Sequence, residues 1–181
     1  MEIKILIETN QHRQIAEYLQ EYFRRIFYVQ TSIEIARINV KRYYNYLRKQ
    51  YNAEKILAYL KKGFAARENR RIVAILPYDA YVEGLNFVFG IAEENWGGIV
   101  FTYRLNPQLY GQPFHPIIFY VRIFKIALHE FGHSIGLAHC NNPSCVMWFD
   151  NSIEDVDRKS LNYCIRCRIE ISRRYPELLR L

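Results

Sequence analysis

Hydrophobic and polar positions change period several times along the chain. Ile3, Ile5 and Ile7 are separated by Lys4 and Leu6, the pattern of a mostly buried strand. Asn10 stands where a cap would start the next helix, in which Ile15, Leu19, Tyr22 and Ile26 recur at spacings of four, three and four. Alternation returns over residues 32–38 and predicts a second strand. Residues 40–65 read as helix, basic on one side and Tyr-rich on the other, with Gly63 ending or bending it. A more fully buried strand follows over 71–77. Two further strands fall near Asn86–Ala92 and Gly98–Tyr103, with Gly97-Gly98 marking the turn between them. Residues 104–116 hold three of the six prolines and no period, so they read as loop. From Ile117 to about Gly136 a strong helix is predicted, with Phe124, Leu128, Phe131 and Ile135 on one face. The tail is polar and Cys-bearing until a last amphipathic stretch, Cys164 to Leu179. Strands and helices alternate over the first 75 residues or so, which predicts an α/β sheet.

Composition narrows the class. A chain of 181 residues, half of them hydrophobic and 15% aromatic, fits one domain with at most a small appended lobe and excludes a wholly disordered chain. No apolar run approaches the ~20 residues of a membrane helix. The formal charge is +7, but Lys and Arg are scattered along amphipathic helices. That distribution reads as solvated surface rather than a nucleic-acid or membrane face. Residues 1–8 are too short and too charged for a secretory signal, so a cytoplasmic protein is expected, with its cysteines as thiols or metal ligands.

Three of the five histidines lie between residues 129 and 139. His129 and His133 are four apart on the predicted helix, so both rings project from one face and reach one ion at ~2.0–2.1 Å. That face is expected to lie opposite the apolar one. Glu130, offset by one residue, is a poor ligand for the same ion and a good general base for a metal-bound water. Gly136 tolerates positive φ and can stop the helix, so that the chain reverses and His139 arrives from below. Three neutral imidazoles leave a fourth position open, the arrangement of a catalytic zinc. His12 and His115 stand alone and read as ordinary polar residues.

The four cysteines, Cys140, Cys145, Cys164 and Cys167, all lie in the last quarter of the chain. Four thiolates can enclose a structural zinc at ~2.3 Å per sulfur. Disulfides, a redox CxxC, or Cys140 on the first metal are alternatives. If residues 139 and 140 are extended, however, neighbouring side chains point opposite ways, and His139 and Cys140 would serve two metals back to back. Met147 suits the floor beneath a zinc-imidazole cluster, a packing role in any case.

From His129 to Cys167 the chain meets every fixed position of the pattern HExxHxxGxxHCxxxxCxM followed by CxxC. It therefore resembles the archaemetzincins, within the metzincin metallopeptidases. Gly84-Leu-Asn-Phe-Val-Phe-Gly-Ile-Ala92 and Tyr103-Arg-Leu105 resemble that family too. The resemblance implies a zincin fold: a twisted mixed five-stranded sheet with long helices in residues 1–136, and a small zinc-stapled subdomain in 137–181. It implies two Zn²⁺ per chain. One would be catalytic on His129, His133 and His139, with Glu130 as base and Met147 in the Met-turn. The other would be structural on the four cysteines. A peptide or protein substrate would lie antiparallel to an edge strand, for which Asn86–Ala92 is the candidate. Some metzincins carry a Tyr shortly after the Met that stabilises the oxyanion. Here Trp148 and Phe149 follow, so weak or narrow activity is expected, and a non-catalytic zinc-stabilised binding module is the alternative.

Overall fold

The computed structural model describes residues 1–65 and 69–180. Five strands form the main sheet in the order β2 (Gln30–Ile35), β1 (Glu2–Ile7), β5 (Arg70–Leu76), β8 (Gly97–Phe101) and β7 (Gly90–Glu93). All neighbours are parallel except β7 and β8, which leaves β7 as an antiparallel edge. Alternation along the strands feeds two cores. Ile3, Ile5, Ile7, Val73, Ile75 and Val100 face helices α1 (Arg13–Ile26) and α3 (Pro116–Ser134). Leu6, Ile72, Ala74, Leu76, Ile99 and Phe101 face α2 (Ala53–Gly63). Tail residues Val146, Met147, Val156, Tyr163 and Ile171 join the first core, beneath α3.

Several predicted elements move. Residues 40–52 are not α-helical. A 3-10 turn at Lys41–Tyr43 leads into a hairpin, β3 (Tyr44–Asn45) and β4 (Gln50–Asn52), which forms a small second sheet with β6 (Ala80–Tyr81). The Asn45 carboxamide oxygen accepts from the amides of Leu47 and Arg48 at 3.0 and 3.2 Å, and so closes the hairpin turn. Helix α2 starts only where the Asn52 side chain accepts from the amide of Lys55 at 2.9 Å, and it ends at Gly63. Asn10 opens a 3-10 turn and caps nothing with its side chain. β2 runs over 30–35 rather than 32–38, because its parallel register ends with β1 at Ile7↔Ile35. Gly97 and Gly98 lie inside β8; the turn is carried by Asn95, left-handed at φ 65°, whose amide donates to the Ser134 carbonyl at 2.9 Å. Of residues 86–89 only Val88 makes a strand-like bridge, to Ala80, and Tyr103 sits in a 3-10 turn.

Helix α3 begins on Pro116 at its first turn and ends at Ser134. The face that carries His129 and His133, expected to lie opposite the apolar one and clear of the core, is itself covered: every residue from Lys125 to Gly132 is buried, His129 and Glu130 included. The reason is the tail, which folds back under the helix. Arg122 on α3 makes a two-pronged pair with Asp157, at 2.8 and 2.7 Å. Lys125 donates to the carbonyls of Val156 and Asp157, both at 2.9 Å, at the end of α4 (Ile153–Arg158). Tyr163 donates its hydroxyl to the Leu128 carbonyl at 2.6 Å. Buried cations on α3 thus fix the segment that follows the histidine motif.

Candidate metal centres and cleft

The end of α3 is built to turn a histidine back. Gly136 lies at φ 88°. The amide of Gly136 donates to the His133 carbonyl and that of Leu137 to Gly132, each at 2.9 Å, the paired bonds of a Schellman motif. The chain reverses there, and the His139 ring joins those of His129 and His133. Nε2 of His133 lies 3.0 Å from Nε2 of His129 and 3.2 Å from Nε2 of His139.

Those distances fit a metal. Tetrahedral ligands at ~2.0–2.1 Å from zinc are about 3.3–3.4 Å apart. The second partners fix the tautomers: Nδ1 of His129 donates to the Val146 carbonyl and Nδ1 of His133 to the Leu137 carbonyl, both at 2.8 Å. With the protons on Nδ1, two bare Nε2 lone pairs face each other, a repulsion that a bound cation relieves. Burial also holds the three rings below the ordinary histidine range, His139 at about 4, which favours neutral ligands.

Glu130 stands beside the trio, wedged under the edge of the sheet. A Cβ on Gly90 would come within 2.7 Å of the Glu130 Cδ, and one on Gly98 would strike the Glu130 Cβ. Two strand glycines therefore leave the room in which this carboxyl sits. Burial pushes it up to about 8, and the Lys159 ammonium works against that rise. Gly132 makes similar room below: a Cβ there would meet the Met147 sulfur, so Met147 packs directly against α3. The amide of Cys140 donates to the Met147 carbonyl at 2.9 Å, tying the third histidine's segment to the methionine turn.

His139 and Cys140, although adjacent, join different groups of potential ligands. Cys140 joins Cys145, Cys164 and Cys167, and all four are free thiols. Cys140 and Cys164 have sulfurs 3.6 Å apart, Cys145 and Cys167 3.7 Å. Four sulfurs at ~2.3 Å from one zinc would be about 3.8 Å apart. In each group the potential ligand atoms lie within 4.8 Å of one another. Among the described residues these are the two groups of His, Cys, Asp or Glu placed to hold a metal ion. His12 and His115 join neither.

The cleft over the histidines is walled by Gly90, Ile91 and Ala92 of the edge strand on one side and by Phe149 and Asp150 on the other. Phe149 packs edge-on against the His139 ring, centroids 4.9 Å apart. Among the described residues no side chain lining the cleft carries a hydroxyl. Sequence reading missed one feature here. Lys159 is fully buried and ion-paired with Asp150, and its Nζ lies 3.5 Å from Nδ1 of His129. Among the described residues the second Asp150 oxygen accepts no hydrogen bond. A lysine in a polar tail gives no sequence signal of this, because its partner is set by the fold.

Sheet, helix and histidine geometry define a metallopeptidase of the zincin type. Residues 4–173 match peptidase family M54. The archaemetzincin of Sulfolobus acidocaldarius is 39% identical over 141 residues, 78% of each chain. That of Saccharolobus solfataricus is 39% identical over 130 residues, 72% of this chain and 70% of its own. The crystal structure of the Methanopyrus kandleri archaemetzincin superposes with a TM-score of 0.83 at 29% identity, covering 97% of this chain and 96% of the other. The Archaeoglobus fulgidus archaemetzincin, solved with malonate, gives 0.76 at 30% identity over 94% of this chain and 100% of its own. The chain belongs to peptidase family M54, the archaemetzincins, and is a zinc metallopeptidase.

Proposed function

We propose that this protein hydrolyses peptide bonds at a zinc held by His129, His133 and His139, with Glu130 as the proton carrier. The observation that carries this reading is the convergence of three neutral imidazoles, two with Nδ1 committed to carbonyls, beside a carboxyl in the same cleft. Zinc there supplies Lewis acidity toward a water and a carbonyl oxygen. Glu130 takes a proton from the attacking water and passes it to the leaving amine. The outer edge of β7 offers main-chain donors and acceptors to an extended peptide, added antiparallel. Without a hydroxyl in the cleft, oxyanion stabilisation loses a donor class worth ~10²–10³ in rate, so turnover is slow.

Cys140, Cys145, Cys164 and Cys167 hold a second, closed zinc that staples residues 137–181 beneath residues 1–136; free thiols suit a reducing, cytoplasmic setting. Met147 is the floor of the first site, and Gly136 sets the turn that delivers His139. A peptide-library digest with zinc-loaded wild type and Glu130→Gln tests the mechanism. Loss of ~10²–10⁴ in kcat/KM with zinc content unchanged is expected. Equal cleavage by the two proteins removes Glu130 from the chemistry.

A further inference from the structure

The β3–β4 hairpin and the segment leading into it form a basic, Tyr-bearing stretch of the chain. Between Glu34 and Glu54 there are five cations, Arg37, Lys41, Arg42, Arg48 and Lys49, and no acidic residue. All five are exposed, and among the described residues none is in an ion pair. At the tip Tyr46, edge-on to the Tyr44 ring, is 82% and Leu47 97% exposed, a large and mostly bare apolar pair.

The hairpin is held rigidly against the cleft wall. Arg48 donates to the carbonyls of Leu85 and Asn86 at 2.9 and 3.2 Å and stacks over the Tyr81 ring at 4.1 Å. Gln50 donates to the same Asn86 carbonyl at 3.0 Å and to Asp79, which is itself clamped by Arg104 at 2.6 and 2.9 Å. Leu85, the residue that Arg48 grips, lines the cleft. The segment 85–89 then leads into β7.

We infer that this hairpin is an extension of the substrate surface, taking an acidic stretch with aromatic or aliphatic side chains on the C-terminal side of the scissile bond. It rests on the proposed use of β7 as the substrate strand. A peptide antiparallel to β7 runs its C-terminal half toward the start of that strand, hence toward Leu85 and the hairpin. Charge selects acidic side chains, and the Tyr46–Leu47 tip supplies the apolar contact. Because the hairpin is already fixed by its hydrogen bonds, little order is lost on binding. Nucleic acid and anionic lipid share the charge preference, but neither follows from continuity with a peptide cleft.

Two measurements test this on the zinc-loaded full chain. In the first, a fluorescein-labelled peptide of Asp and Glu interspersed with Phe and Leu, lacking any cleavable core, is titrated by anisotropy. Wild type is expected to bind about tenfold more tightly than Tyr46→Ser/Leu47→Ser, and more weakly as salt rises. Lys41→Glu/Lys49→Glu is expected to lose as much. Equal binding by wild type and both variants overturns the inference. So does tip-dependent binding of oligothymidine or phosphatidylglycerol vesicles with the peptide ignored. The second measurement compares cleavage of one core peptide bearing the acidic extension at its C-terminus or at its N-terminus. KM is expected to fall only for the C-terminal extension, with kcat unchanged, and only when the tip is intact. A gain confined to the N-terminal extension contradicts the stated direction. If no core peptide is cut, the peptidase reading fails while the anisotropy still judges the hairpin.

Discussion

Single side chains divide into those whose partners are near in sequence and those whose partners are far. His129, Glu130, His133 and His139 were legible because helix period and one glycine fix their relative geometry. The cysteines were legible as a cluster, though only the fold pairs Cys140 with Cys164 and Cys145 with Cys167. Arg122, Lys125 and Lys159 carried no such signal. Each is buried, and each finds its partner through the fold: Arg122 and Lys125 reach 31 to 35 residues along the chain, and Lys159 reaches back to Asp150. Lys159→Met would leave the Asp150 carboxylate buried without its counter-ion. The expected cost is ~3–5 kcal/mol of unfolding free energy, read by urea denaturation of the zinc-loaded protein. Adding Asp150→Asn should recover much of it, since the uncompensated charge is then gone. A single-variant loss below about 1 kcal/mol would mean that the pair is better solvated than its burial implies.

At the scale of elements, helices with a clean apolar stripe were read to within a few residues, and strands with alternation likewise. The failure was residues 40–52. Their tyrosines recur at spacings a helix also permits, but the Asn45 and Asn52 side chains compete for backbone amides and break the segment into a turn and two short strands. The fit of β7 and β8 against α3 was also invisible, because it depends on the absence of side chains at Gly90 and Gly98 where Glu130 comes up from below. Gly98→Ala forces the helix and sheet apart at Glu130, the proposed proton carrier. Kinetic assays should show kcat/KM lower by about 100-fold, the typical cost of a displacement near 1 Å, while bound zinc stays at the wild-type level. Wild-type turnover in this variant would show that Glu130 does not need its present position.

Over the whole molecule, one core joins the sheet, α1, α3 and the tail, and the cysteine cluster pins the start of α5 (Ile165–Arg174) to the loop that carries Met147. The tail's buried apolar residues, Val146, Met147, Val156, Tyr163 and Ile171 among them, belong to the core shared with α1 and α3, whereas Ile165 and Ile169 are exposed. The tail therefore has little core of its own, and the proposed metal staple would supply what hydrophobic burial does not. Cys164→Ser/Cys167→Ser is expected to lower the thermal midpoint by at least about 10 °C and to remove one of the two proposed ions. Unchanged melting would mean that packing alone holds the tail.

The central claim is that seven side chains divide between two zinc ions, three nitrogens open to the cleft and four sulfurs closed to it. Metal analysis of the purified full chain, combined with zinc X-ray absorption, tests this most directly. Two zinc ions per chain are expected, with an average of two sulfur neighbours per ion and the remainder nitrogen or oxygen. One ion per chain in an all-sulfur shell, with none recovered after reconstitution at the histidines, would contradict it.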